Sequence, residues 1–233
     1  MTSLSKNARV AGLLYILASA VGVLRLIYIP STLIVHDNAA ATANNIAAHE
    51  LLFRLGIVSL LLASVLFIFV TLALYRLLNG VDQALAVLMV ILGSLVQAPI
   101  FFISAVNDSA ALLFARGADF LSVLDKAQRE AFVMLFLNLH HQLDLAWMFW
   151  GSWFIPFGLL VYRSRFLPRI LGAWLMIICF AYLALSFTGL LFPAYEDKVS
   201  KFAQPVLLGE VAIMLWLVIM GGAKEQKPVT SSK

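Results

Sequence analysis

The chain is patterned as long apolar blocks separated by short polar segments. Continuous apolar runs cover residues 10–29, 51–78, 84–106, 131–162, 170–192 and 206–220. A bilayer core about 30 Å thick is crossed by about 20 helical residues, so each run is read as a span. The runs are unbroken and rich in Leu, Ala and Ile, whereas barrel strands are short and alternate. The pattern therefore predicts an all-α, polytopic transmembrane helix bundle of six spans. Pro30 and Pro193 are expected to end the first and fifth spans, and Gly221 and Gly222 the sixth. Pro99 and Pro156 are expected to kink the third and fourth. Residues 1–222 form one transmembrane domain, and residues 223–233 a polar cytoplasmic tail. Lys6 and Arg9 ahead of an apolar core, with Ala18-Ser19-Ala20 after it, also fit a cleavable signal peptide. The apolar run continues past that site to Ile29, which favours a span.

Composition sharpens the class. Of 233 residues, 63% are hydrophobic and 12% charged, and the mean hydropathy is +0.97. A soluble domain carries about 25% charged residues and has no surface on which to hide so much apolar area. A cytosolic enzyme, a nucleic-acid-binding domain and a disordered chain are excluded. The net charge of +4 has a different meaning here. Basic residues sit at the ends of the apolar runs, where they act as topology signals. With the N-terminus inside, the inner segments hold Lys6, Arg9, Arg76, Arg163, Arg165, Arg169, Lys224, Lys227 and Lys233. The outer segments hold Arg116, Lys126, Arg129, Lys198 and Lys201. This asymmetry places both termini in the cytoplasm. The single cysteine, Cys179, allows no intramolecular disulfide.

Two loops carry their own signals. Asp125 and Gln128 have the spacing of a capping box, so the fourth helix is expected to begin near Lys126. Apolar residues scattered through residues 107–130 predict a piece lying along the outer interface. Tyr28, Tyr75, Tyr162, Trp174 and Tyr195 fall near span ends, as anchoring aromatics do.

Ionisable side chains inside a membrane mark candidate functional positions. Arg25 lies near the outer end of the first span. His49, Glu50 and Arg54 open the second. Asn107 and Asp108 close the third, and Asn138, His140, His141, Gln142 and Asp144 lie in the fourth. Glu210 lies near the outer end of the sixth. At about 1.5 Å per residue, His140 and Asp144 fall near mid-bilayer, and Arg25, Arg54 and Glu210 a turn or two below the outer surface. Glu50–Arg54 and His140–Asp144 are i,i+4 pairs. Arg25, Glu50, Arg54, His140, His141, Asp144 and Glu210 are therefore expected to meet in one polar cavity open to the outside.

Three readings suit such a cluster. Paired charges can form a buried network that holds helices together. A His/carboxylate cavity can bind or transport a small ligand, or relay protons. His49, His140, His141, Asp144 and Glu210 also have the chemistry of a zinc site, which would make the protein an intramembrane metal-dependent hydrolase acting on a lipid. His-His followed by Asp is a far weaker signal than His-Glu-x-x-His. No cofactor is required by the sequence, no catalytic set is fixed, and enzymatic activity is left open. A structural or regulatory role without chemistry is the third class. The expected partners are membrane lipids and a small-molecule or lipid ligand, with no nucleic acid.

Several short segments together resemble one known family. They are Arg9-Val-Ala-Gly-Leu-Leu-Tyr15, Asn45-Ile46, Glu50-Leu-Leu-Phe-Arg-Leu-Gly56, Ala73-Leu-Tyr-Arg-Leu-Leu78, Leu167-Pro-Arg-Ile-Leu-Gly172, Tyr182-Leu183 and Gly209-Glu210 with Leu215-Trp-Leu217 and Gly221. The combination is similar to the membrane-protein family of the domain of unknown function 4386. That resemblance implies a bacterial multi-span protein of the inner membrane and no particular activity. Glu50, Arg54, His140 and Glu210 match the family's pattern, and His49 and Asp144 depart from it.

Overall fold

The structure is a computed structural model that describes residues 3–144 and 147–221, without the side chains of residues 142–144. It is built of helices α1 (Ser3–Val23), α2 (Ile29–Leu33), α3 (Ala39–Ala48), α4 (Glu50–Leu78), α5 (Gln83–Val90) and α6 (Gln97–Arg116). These are followed by α7 (Lys126–Asp144), α8 (Trp147–Ser152), α9 (Phe154–Arg163), α10 (Arg169–Leu191) and α11 (Glu196–Ile219). No strand occurs among the described residues. The all-α membrane bundle expected from the apolar runs is observed.

Five helical stretches are long and apolar enough to cross a bilayer: Ser3–Leu33, Glu50–Leu78, Gln83–Arg116, Arg169–Leu191 and Pro193–Ile219. At most 39% of any of these apolar windows is buried within the protein. Leu13, Leu17, Val58, Phe69, Ile177 and Phe180 point outward. Such a surface suits hydrocarbon, because lipid tails are as apolar as the side chains they meet. The run 131–162 is divided among α7, α8 and α9, with residues 145–146 undescribed.

The helices pack as a ring with a lobe. Around the ring, α1 lies on α4, α4 on α5, α5 on α9, α9 on α10, α10 on α11, and α11 on α1. An aromatic core of Tyr15, Phe67, Trp153, Phe154 and Phe157 fills it. Close crossings depend on residues without a Cβ. A Cβ on Gly158 would come within 2.7 Å of the Gly172 carbonyl oxygen, and one on Gly172 within 2.6 Å of the Tyr162 nitrogen. The lobe joins α2, α3 and α7 to the ends of α4 and α6 around Ile29, Ile46, Phe53, Leu112, Val133 and Leu137.

Several expected boundaries are revised. Pro30 does not stop the first span, and the helix continues to Leu33. A π-helical turn, Leu24–Tyr28, precedes it, and Pro30 occupies the first turn of α2, where no intrahelical N–H is needed. Ser31 and Thr32 hydroxyls donate to the Tyr28 carbonyl at 2.9 and 2.7 Å. Pro99 likewise sits in the first turn of α6, just after a second π-helical turn at Ile91–Leu95. The Gln97 amide donates to the Leu92 carbonyl there at 3.0 Å.

Asn107 and Asp108 do not close the third span. Helix α6 runs on to Arg116, so residues 107–116 are helical and turn Asp108 inward. The last helix also begins at Glu196, ten residues before the apolar run, with Glu196 and Asp197 favourably placed at its N-terminus. Glu210 is consequently well inside a 24-residue helix and not near its outer end. The Asp125/Gln128 capping box is observed: the Gln128 N–H donates to Asp125 Oδ1 at 2.8 Å, and the Asp125 N–H to Gln128 Oε1 at 3.0 Å.

Candidate functional site

The expected single cavity resolves into separate groups. The first lies where the π-helical turn after α1 meets α6 and α7. Arg25 is presented by that turn and its stem passes Gly56 on α4, where a Cβ would stand 3.0 Å from Ile29 Cγ1 and 3.4 Å from Arg25 Cδ. Its guanidinium donates to Asp108 twice, Nε to Oδ2 and Nη2 to Oδ1, both at 2.6 Å. His140, on the inward face of α7 with Val133 and Leu137, brings Nδ1 to 3.0 Å from Asp108 Oδ1 and 3.3 Å from the Ser104 carbonyl oxygen. Both oxygens accept, so Nδ1 carries the proton. Arg25 and Asp108 are 3% and 0% exposed. This fork-to-fork pair meets most of its own electrostatic needs.

The second group lies in the aromatic core. Glu210 on α11 accepts from the Tyr182 hydroxyl of α10 at 2.6 Å and from the Tyr15 hydroxyl of α1 at 3.3 Å. Small residues allow these helices to approach. A Cβ on Gly151 would stand 2.6 Å from the Tyr182 Cβ, and one on Gly209 would stand 2.8 Å from the Trp174 indole nitrogen. That indole donates to the Val206 carbonyl at 2.8 Å, clamping α10 to α11. Among the described residues no basic side chain pairs with Glu210.

A small cleft of about 190 Å³ stands beside this group, lined in part by His141, Trp147, Leu185, Glu196, Gln204 and Leu207. Leu207 precedes Glu210 by three positions on α11, and Leu185 follows Tyr182 by three on α10. The cleft floor is thus about one helical turn from the carboxylate. Trp147 and Tyr182 have ring centroids 5.3 Å apart, joining the two.

The remaining sequence candidates lie elsewhere. Glu50 and Arg54 do pair, Nε to Oε1 at 2.7 Å, but on the surface, where Arg116 joins at 3.0 Å. His49 is exposed, with Nδ1 3.0 Å from the Asn45 carbonyl. His141 is exposed and lies 4.0 Å from Glu196. Asn138 also faces outward, so only His140 of that polar stretch is seen to enter the bundle. The side chain of Asp144 is outside the described residues. No three His, Cys, Asp or Glu side chains are grouped to hold a metal ion among the described residues, so the described members of the zinc set do not converge.

The family profile described as "Domain of unknown function (DUF4386)" matches residues 10–221. The chain belongs to the DUF4386 family. The match takes in Arg25, Asp108 and His140 of the first group and Tyr15, Tyr182 and Glu210 of the second. An uncharacterized protein of Archaeoglobus fulgidus is 34% identical over 82 residues, covering 34% of this chain and 46% of the relative. The aligned part thus spans under half of that relative's length. No solved structure matches.

Tyr15 and Tyr182 were not singled out as site residues by sequence reasoning, and Asp108, noted at a span end, was left out of the expected cavity. Asp108 had a usable signal: an arginine embedded in an apolar run requires an acid at its own depth. Tyr15 and Tyr182 had one as well, for they sit in the interior of spans, unlike the tyrosines at span ends.

Proposed function

We propose that this DUF4386 protein binds, and carries across the membrane, a small ligand with a cationic or strongly hydrogen-bond-donating group, held at Glu210. The observation that carries this reading is a carboxylate in the bundle interior, met by two phenol donors and by no counter-charge among the described residues. An intramembrane ionisable group is costly to keep and so marks a functional position. The adjoining cleft supplies an approach from the end that carries Glu50 and Glu196. The Arg25–Asp108–His140 group is largely self-compensated and acts in this reading as a structural tie.

In the same proposal the chain crosses the bacterial inner membrane six times with both termini cytoplasmic. Support comes from the ends of the segment 126–163. Lys126 follows closely on Arg116, which pairs with Glu50, the first residue of α4. Arg163 pairs with Asp82, just past the far end of α4.

The test is thermal unfolding of the full chain in lipid nanodiscs against a panel of primary, tertiary and quaternary amines and their uncharged isosteres. A saturable rise in melting temperature is expected for at least one charged member, and its loss in Glu210→Gln at unchanged helix content. Equal responses of wild type and Glu210→Gln, or no response to any member, would overturn the proposal.

A further inference from the structure

The end of the bundle opposite Glu50 holds a second, larger cleft of about 590 Å³. It lies between the last turn of α4, the turn 79–81, the start of α1 and the turn that follows α9. Its polar wall includes the guanidinium groups of Arg76 and Arg163 and the amide of Asn79, and its apolar wall includes Leu77, Val81 and Phe166. Arg163 gives one hydrogen bond, Nη1 to Asp82 Oδ2 at 3.1 Å, which leaves its other donors available. Arg76 is exposed and has no acidic partner among the described residues. A Cβ on Gly80 would meet nothing within 4 Å, so this part of the wall faces open space.

The surrounding charge is strongly one-sided. Lys6, Arg9, Arg76, Arg163, Arg165 and Arg169 all belong to this end, and Asp82 is its one acid among the described residues. At the other end, basic residues are balanced by Asp37, Glu50, Asp119, Asp125, Glu130, Glu196 and Asp197. The basic end therefore attracts anions. A membrane-spanning chain holds this cleft at headgroup depth, where two guanidiniums beside an apolar wall match a phosphodiester joined to a glycerol backbone.

We propose that the cleft is a binding site for an anionic phospholipid, with the phosphate between Arg76 and Arg163 and the glycerol region against Leu77, Val81 and Phe166. The site is independent of the Glu210 reading. Free inorganic phosphate shares the recognised chemistry, so the test separates the two sources.

The experiment is native mass spectrometry of the delipidated full chain, titrated with phosphatidylglycerol or with phosphatidylcholine of the same acyl chains. Wild type is expected to retain the anionic lipid preferentially. Arg76→Gln, which leaves the Arg163–Asp82 pair intact, is expected to lower that retention about fivefold. Gly80→Phe adds bulk at the cleft lining without removing a charge, at a position whose φ is outside the left-handed region, and is expected to lower it as well. Retention unchanged in either variant, no preference over phosphatidylcholine, or displacement of the lipid by an equal concentration of inorganic phosphate would overturn the proposal.

Discussion

At the scale of single residues, the decisive distinction is between charges that are paired out of water and charges that are paired in it. Arg25 and Asp108 are both buried and share two short hydrogen bonds. Removing one partner leaves the other as an uncompensated buried charge, which costs about 3–5 kcal/mol. Asp108→Asn is expected to lose most of that in denaturant unfolding of the detergent-solubilised protein. The double replacement Arg25→Met with Asp108→Leu is expected to recover a large part of it, because apolar residues of similar volume often replace a buried pair at little cost. Glu50→Gln is expected to change stability by less than about 1 kcal/mol, since its partners Arg54 and Arg116 are 48% and 46% exposed. Sequence spacing found the Glu50–Arg54 pair because i,i+4 neighbours are local. It noted Asp108 but did not join it to Arg25, because 83 residues separate the partners and because Asn107-Asp108 resembles the end of a span.

At the scale of elements, apolar runs located the helices, and local chemistry set their ends. Lys126 was legible as a helix start because Asp125 and Gln128 cap within one turn. The true lengths of α6 and α11 were not, since their outer portions, such as Glu196–Gln204, are too polar to read as membrane segments yet continue the hydrogen-bond ladder beyond it. The π-helical turns were invisible for another reason: Arg25 and Gln97 lie in or beside them, and such turns are recognised by their bonding pattern, not by composition. Glycine placement gives a test at this scale. Replacing a helical glycine by alanine gains about 1 kcal/mol in helix propensity, against about 1–3 kcal/mol lost when an added group overpacks. Gly158→Ala would bring its Cβ within 2.7 Å of a backbone oxygen that cannot swing away, so net destabilisation is expected in thermal unfolding. Gly22→Ala meets nothing closer than 3.7 Å and is expected to hold or raise the melting temperature.

At the scale of the whole molecule, charge distribution and helix packing point to the same orientation. The packing puts the starts of α1 and α10 and the ends of α4 and α9 at one end, and those segments carry six basic side chains against Asp82 among the described residues. Basic residues flanking spans are retained on the cytoplasmic side, so this end is expected to face the cytoplasm. In that orientation the proposed approach to Glu210 would open outside and the guanidinium-lined cleft would lie in the inner leaflet, where anionic headgroups attract cations. Single-cysteine labelling tests the arrangement cleanly, because the native Cys179 is only 4% exposed and contributes little background. A cysteine at Asn79 is expected to react with a membrane-impermeant maleimide only after the cells are opened. One at Asp119 is expected to react in intact cells. The reverse pattern would invert the molecule, placing the Glu210 approach in the cytoplasm and the basic cleft in the outer leaflet.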